Sequence, residues 1–176
     1  GLIRVLDNGV GIHHEDMRLA MERHATSKIT TTDDLLSITS MGFRGEALYS
    51  ISSVSQVELA TRARGEVKGV RIGLNNHVLI AKSFAGIDYG TTVSVSELFS
   101  KFPARKKFFK SESAEGNRIH SLIQKFAICN PRVAFELNQG SSRPFRTSGS
   151  GVLRDVMGAI FGIFEASKMI EISEDY

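Results

Sequence analysis

Residues 2–6 alternate, with Ile3 and Val5 on one side and Arg4 on the other. This is the period-two pattern of a strand. Continuing it puts Asp7 on the side of Ile3 and Val5, so the expectation is a carboxylate ending a buried apolar face. DNGVGI follows at 7–12, and an Asn-Gly pair after an apolar strand signals a tight turn. Met17, Ala20, Met21 and His24 then recur at helical spacing, with Glu15 and Asp16 in the first turn, where the helix dipole favours acids. ATSKITTT at 25–32 interrupts that helix, and Thr32 reads as the N-cap of a short helix from Asp33. In SMGFRGEALYSISSVS, Ala47, Leu48, Ile51 and Val54 form a second helical stripe, with Gly42 and Gly45 ahead of it.

From Gln56 to Phe84 the period returns to two in QVELATR, KGVRIGL and HVLIAKSF, linked by Arg64-Gly65-Glu66 and Asn75-Asn76. GTTVSVSEL from Gly90 is a further strand, and FPARKKFFK a basic, aromatic loop. Ile119, Leu122, Ile123 and Phe126 mark a helix ending near Asn130-Pro131, and VAFELN and PFRT read as two more strands. SGSG at 148–151 resembles a linker before a helix (VLRDVMGAIFG) and a strand (SKMIEIS). The expected organisation is a mixed α/β domain over 1–147, then 148–176 as linker and start of a second α/β subdomain.

Composition narrows this only slightly. The chain has 176 residues, 41% hydrophobic and 23% charged, with a net charge of +3; these are ordinary values for a globular protein. The mild basicity permits nucleic-acid or nucleotide contact without requiring it. Cys129 is the single cysteine, which excludes an intrachain disulfide framework and fits a reducing compartment; amid Phe126, Ala127 and Ile128 it reads as a small core residue. No apolar run has the length of a membrane span. The start at Gly1, directly on a strand, reads as a fragment lacking an N-terminal part.

Two stretches carry candidate chemistry. A carboxylate at a buried strand end needs a donor; an adenine amine is one, and Gly9 and Gly11 leave room for a flat base. The alternative is a plain turn in which Asp7 accepts from the turn's own amides. GFRGEAL at 42–48 is a glycine-rich loop leading into a helix, where free N–H groups and the positive dipole end favour phosphate. It is neither a P-loop nor the dinucleotide fingerprint, and the alternative is an ordinary loop with Glu46 as dipole partner.

Taken in order, DNGVGI, RHATSKI, MGFRGEALYSISSVS, GTTVSVSELF and FPARKKF resemble the successive signature segments of the MutL family of DNA mismatch-repair proteins. These belong to the wider GHKL ATPases, with type II topoisomerase ATPase subunits, a heat-shock chaperone and sensor histidine kinases. The resemblance implies an α+β two-layer fold of Bergerat type with a mixed, mostly antiparallel sheet. The second subdomain would be a ribosomal-protein-like βαβ unit.

The resemblance also implies roles. Asp7 would accept from the adenine amine, beside Gly9 and Gly11, and Thr91 would support it, with Thr92 as substitute. Ala25, Thr26, Ser27 and Lys28 would begin a lid over the phosphates. Gly42, Phe43, Arg44, Gly45, Glu46, Ala47 and Leu48 would line the phosphate end. ATP and Mg²⁺ are the implied cofactors. The family's catalytic Glu and Mg²⁺-binding Asn lie upstream of DNGxG, so this stretch is expected to bind nucleotide and scarcely hydrolyse it. The implied activity is ATP hydrolysis that orders the lid and drives dimerisation, coupling mismatch recognition to later repair. The implied partners are DNA, a MutS-type mismatch-recognition protein and a second subunit, identical or paralogous, in the cytoplasm or nucleus and away from membranes. Another GHKL ATPase and a non-catalytic nucleotide-binding scaffold are the competing readings; GFRGEAL argues against a topoisomerase.

Other clusters weigh less. Lys101, Arg105, Lys106, Lys107 and Lys110 interleave with Phe102, Phe108 and Phe109. This reads first as an amphipathic stretch that buries its phenylalanines, with Arg105 structural, and second as a DNA-backbone contact. His13, His14, Glu15 and Asp16 lack paired metal-ligand spacing and read as a solvated helix start; His24 reads as a core histidine.

Overall fold

A computed structural model describes residues 1–23, 45–170 and 172. They fall into two units, Gly1–Phe108 and Phe109–Tyr176. The boundary expected between residues 147 and 148 lies inside the second.

The first unit is built on five strands: β1 (Leu2–Asp7), β2 (Gln56–Arg62), β3 (Gly69–Asn75), β4 (Val78–Ala85) and β5 (Gly90–Ser96). They lie in the order β1-β5-β2-β3-β4, and every pairing is antiparallel. β3 and β4 are joined through Asn76 and His77, with φ of 46° and 66°; a two-residue hairpin of the primed type needs positive φ at both positions.

Register sorts the side chains. Val5, Val93, Leu59 and Ile72 form one row, and Ile3, Val95, Val57 and Leu74 the next. Met17 and Met21 pack on the central strands of this face, joined by the half-buried Ile12, Leu48 and Ile51. Leu59 and Val70 are fully buried there, and each such side chain contributes about 1.5–3 kcal/mol. The opposite face is polar. Arg4 Nε donates to Ser94 Oγ at 3.1 Å, and Arg71 lies 3.9 Å from Glu58.

β1 departs from expectation. All six of its residues are exposed, Ile3 by 46% and Val5 by 61%. It is an edge strand, and the Met17–Met21 layer covers β2 and β3 rather than its end of the sheet. The expected helix after the turn is also reduced: among the described residues, only Leu19–Met21 forms a 3₁₀ turn. Helix α1 (Ala47–Ser52) begins within GFRGEAL, at Ala47, and excludes Val54 from the expected stripe. FPARKKFFK holds a four-residue helix, α2 (Pro103–Lys106), started by a proline, which suits a first helical turn. Arg105 lies over the rings of Phe99 and Phe102, a structural role. Phe108 is 85% exposed, so this stretch does not bury its phenylalanines as expected.

The second unit holds α3 (Glu112–Cys129), the strand pair β6 (Glu136–Leu137) and β7 (Phe145–Arg146), α4 (Leu153–Phe161) and α5 (Ile163–Ser167). Ser111 Oγ caps α3 by accepting from Ala114 N at 3.2 Å. At 100° per residue, Leu122, Lys125 and Cys129 share one stripe, and all three are exposed. Cys129 is therefore not the core residue expected, and Ala127 takes that place. Gly162 (φ 91°) separates α4 from α5. The strand expected in SKMIEIS is not formed among its described residues: Ser167 ends α5 and the residues after it are irregular.

Candidate nucleotide-binding site

The ladder sets Asp7, the last residue of β1, opposite Thr91 on β5, and Thr91 opposite Thr61 on β2. The three therefore share one sheet face, the face that carries the core. Thr92 pairs with Leu6 and Ala60 and points to the other face. Of the two threonines singled out in GTT, register brings Thr91 to Asp7.

Thr61 is fully buried, and its hydroxyl is saturated. It accepts from Ile12 N at 2.9 Å and donates to Gly90 O at 2.9 Å. A hydroxyl has one hydrogen, so in its 3.1 Å contact with Thr91 Oγ1 Thr61 accepts and Thr91 donates. Thr91 keeps its lone pairs for another donor.

Asp7 is exposed, correcting the expectation of a buried carboxylate; the cause is the uncovered edge strand. Its Oδ1 accepts from Gly9 N at 2.9 Å, the side-chain turn that Asp favours. The turn reading of DNGVGI thus holds locally, but the chain does not continue into a hairpin, because β1 pairs with β5. A carboxylate has a second oxygen and further lone pairs, so the turn does not exhaust Asp7.

The glycines are explained by the chain itself. A Cβ on Gly11 (φ +74°) would stand 2.2 Å from Arg62 O, and one on Gly90 (φ +110°) 2.0 Å from Asp7 O. Gly11 lets the loop cross the end of β2, where Arg64 N donates to Val10 O at 3.1 Å. Gly90 lets β5 reach the end of β1. Beside them the Arg62 guanidinium lies 3.8 Å from the Tyr89 ring centre, and its Nε is buried without a partner. Thr61, Gly90 and Arg62 were not singled out from sequence; only the register between strands far apart in the chain reveals them.

At the other expected end, Gly45 has φ +61° and Glu46 is the N-cap of α1. Glu46 Oε1 lies 3.9 Å from Arg23 Nε. Leu48 packs into the core, while Ala47 is exposed. Ala25, Thr26, Ser27, Lys28, Gly42, Phe43 and Arg44 lie outside the described residues, as do His24 and the Thr32–Asp33 cap.

No family model matches the chain. It is 42% identical over 171 residues to the DNA mismatch repair protein MutL of Symbiobacterium thermophilum, covering 97% of this chain and 27% of that protein. With MutL of Pelotomaculum thermopropionicum it shares 44% identity over 170 residues, 97% of this chain and 28% of the relative. Among solved structures, the Aquifex aeolicus MutL ATPase domain complexed with ADP superposes with a TM-score of 0.70 at 33% identity, over 91% of this chain and 56% of that one. The chain corresponds to the N-terminal ATPase region of MutL. It spans about a quarter of the length of its curated MutL relatives. Its α/β architecture on an antiparallel sheet is that of the MutL ATPase domain, as expected from DNGVGI and GFRGEAL.

Proposed function

We propose that this chain is the nucleotide-binding part of an ATPase that serves DNA mismatch repair. The observation that carries the reading is the placement of Asp7 opposite Thr91 on one sheet face, in a chain similar to a MutL ATPase domain complexed with ADP. Asp7 accepts from the adenine amine with the oxygen not used by Gly9 N. Thr91, whose proton goes to Thr61, accepts from a bridging water. Gly9 and Gly11 form the turn beside the base. Glu46, Ala47 and Leu48 lie at the phosphate end, with Gly42–Gly45 before them and Ala25–Lys28 as the lid.

The donor set fits adenine recognition. Mg²⁺ is held by one or two protein ligands together with the nucleotide phosphates, and in the family this chain resembles the Asn that binds it lies upstream of DNGxG. In the whole protein, ATP binding orders the lid and favours dimerisation, a ligand-biased two-state change. That change communicates with DNA and with a MutS-type partner, in the cytoplasm in keeping with the bacterial relatives.

The test is binding of a non-hydrolysable ATP analogue before and after Asp7→Asn. Asn keeps an oxygen for Gly9 N but can present an NH₂ group to the adenine amine. The expected result is a clear rise in Kd with unchanged thermal stability. Unchanged affinity would remove Asp7 from the site.

A further inference from the structure

In the sequence, His13 and His14 have no partner at metal-ligand spacing. The fold supplies one from 52 residues away: Glu66, in the β2–β3 turn, accepts from His14 N at 3.2 Å. Glu66 Oε1 also lies 2.5 Å from His14 Nδ1 and 3.2 Å from His13 Nε2. The ligand atoms of all three residues fall within 4.8 Å of one another. We propose that His13, His14 and Glu66 bind one divalent transition-metal cation of the zinc class, pinning the segment after DNGVGI to the β2–β3 turn.

Three observations support this. The donors are two imidazoles and one carboxylate, the mixed nitrogen and oxygen set that suits Zn²⁺ or Co²⁺ and leaves a fourth position for water. Glu66 is only 11% exposed along its side chain, and its Oε2 is buried with no hydrogen-bond partner; a bound cation offsets the cost of holding that oxygen out of water. His13 turns Nε2 to Glu66 and leaves Nδ1 at 3.7 Å from Glu15 Oε2. A carboxylate behind a metal-binding imidazole is the usual orienting partner.

The experiment titrates Zn²⁺ into chelator-treated protein and records stoichiometry, melting temperature and, with Co²⁺, visible absorption. One metal per chain, a raised melting temperature and an intense Co²⁺ band of low coordination number are expected. His13→Ala and Glu66→Gln should each weaken Zn²⁺ at least about tenfold, as much as loss of an orienting residue alone costs. Cys129→Ser should leave affinity unchanged. If Glu66→Gln fails to fold, His13→Ala decides alone, since that side chain is 47% exposed. Absence of stoichiometric binding, or binding that survives His13→Ala, overturns the proposal.

Discussion

Asp7 and Thr91 are cross-strand partners although 84 positions separate them in the chain. Neighbouring strands approach within about 5 Å, so the ladder alone fixes where the carboxylate and the hydroxyl meet. The same ladder turns Thr92 to the opposite face. Thr91→Val should therefore weaken an ATP analogue by roughly 2–10-fold, the range of one hydrogen bond. Thr92→Val should change it much less. Equal effects in a calorimetric titration would contradict the face assignment.

Thr61 gives a stability prediction. Thr61→Val keeps the shape of a fully buried side chain and deletes the hydroxyl that joins Ile12 N, Gly90 O and Thr91 Oγ1. Stranded buried polar groups cost about 1–3 kcal/mol. A matching drop in the urea midpoint, at unchanged slope, is expected. Thr61→Ser, which keeps the hydroxyl, should recover most of it.

These residues also mark what sequence could reveal. DNGVGI announced a turn and GFRGEAL a glycine-led helix because turn and helix-start chemistry is local. The strands QVELATR, KGVRIGL and GTTVSVSEL were legible because a half-buried strand alternates with period two. Burial of Asp7 was not legible. Alternation tells which residues share a face; whether that face is covered depends on the layer above it, and β1 lies beyond Met17 and Met21. Cys129 failed for a related reason: its neighbours are apolar, but its helical stripe, with Leu122 and Lys125, faces outward. Glu66 was hidden because no local pattern links it to His13 and His14.

Gly11 and Gly65 separate two roles of glycine. Both have positive φ, +74° and +93°, but a Cβ on Gly65 meets open space and one on Gly11 meets Arg62 O at 2.2 Å. Gly65→Ala should cost only the backbone strain, about 1–2 kcal/mol. Gly11→Ala adds a backbone collision and should destabilise clearly more. Comparison of the two urea midpoints checks the order.

Acid stability follows from carboxylates held below their ordinary value. In Glu66 the largest cause is the hydrogen bond from the His14 side chain, then that from the His14 amide, with His13 adding attraction. In Glu136 it is the hydrogen bond from Arg146, then that from Asn138. A depressed carboxyl contributes stability that is complete above its unfolded value near 4.5 and is lost as pH falls through the lower folded value. Among the described residues, His13 and His14 contact Glu66, and Glu15 contacts His13. In Glu66→Gln the acid-induced decline in urea midpoint below pH 4.5 should be shallower than in the parent. Arg146→Ala should flatten the same limb through Glu136, in the second unit. Equally steep limbs in parent and Glu66→Gln would show that the His14 contact does not distinguish the folded from the unfolded carboxyl.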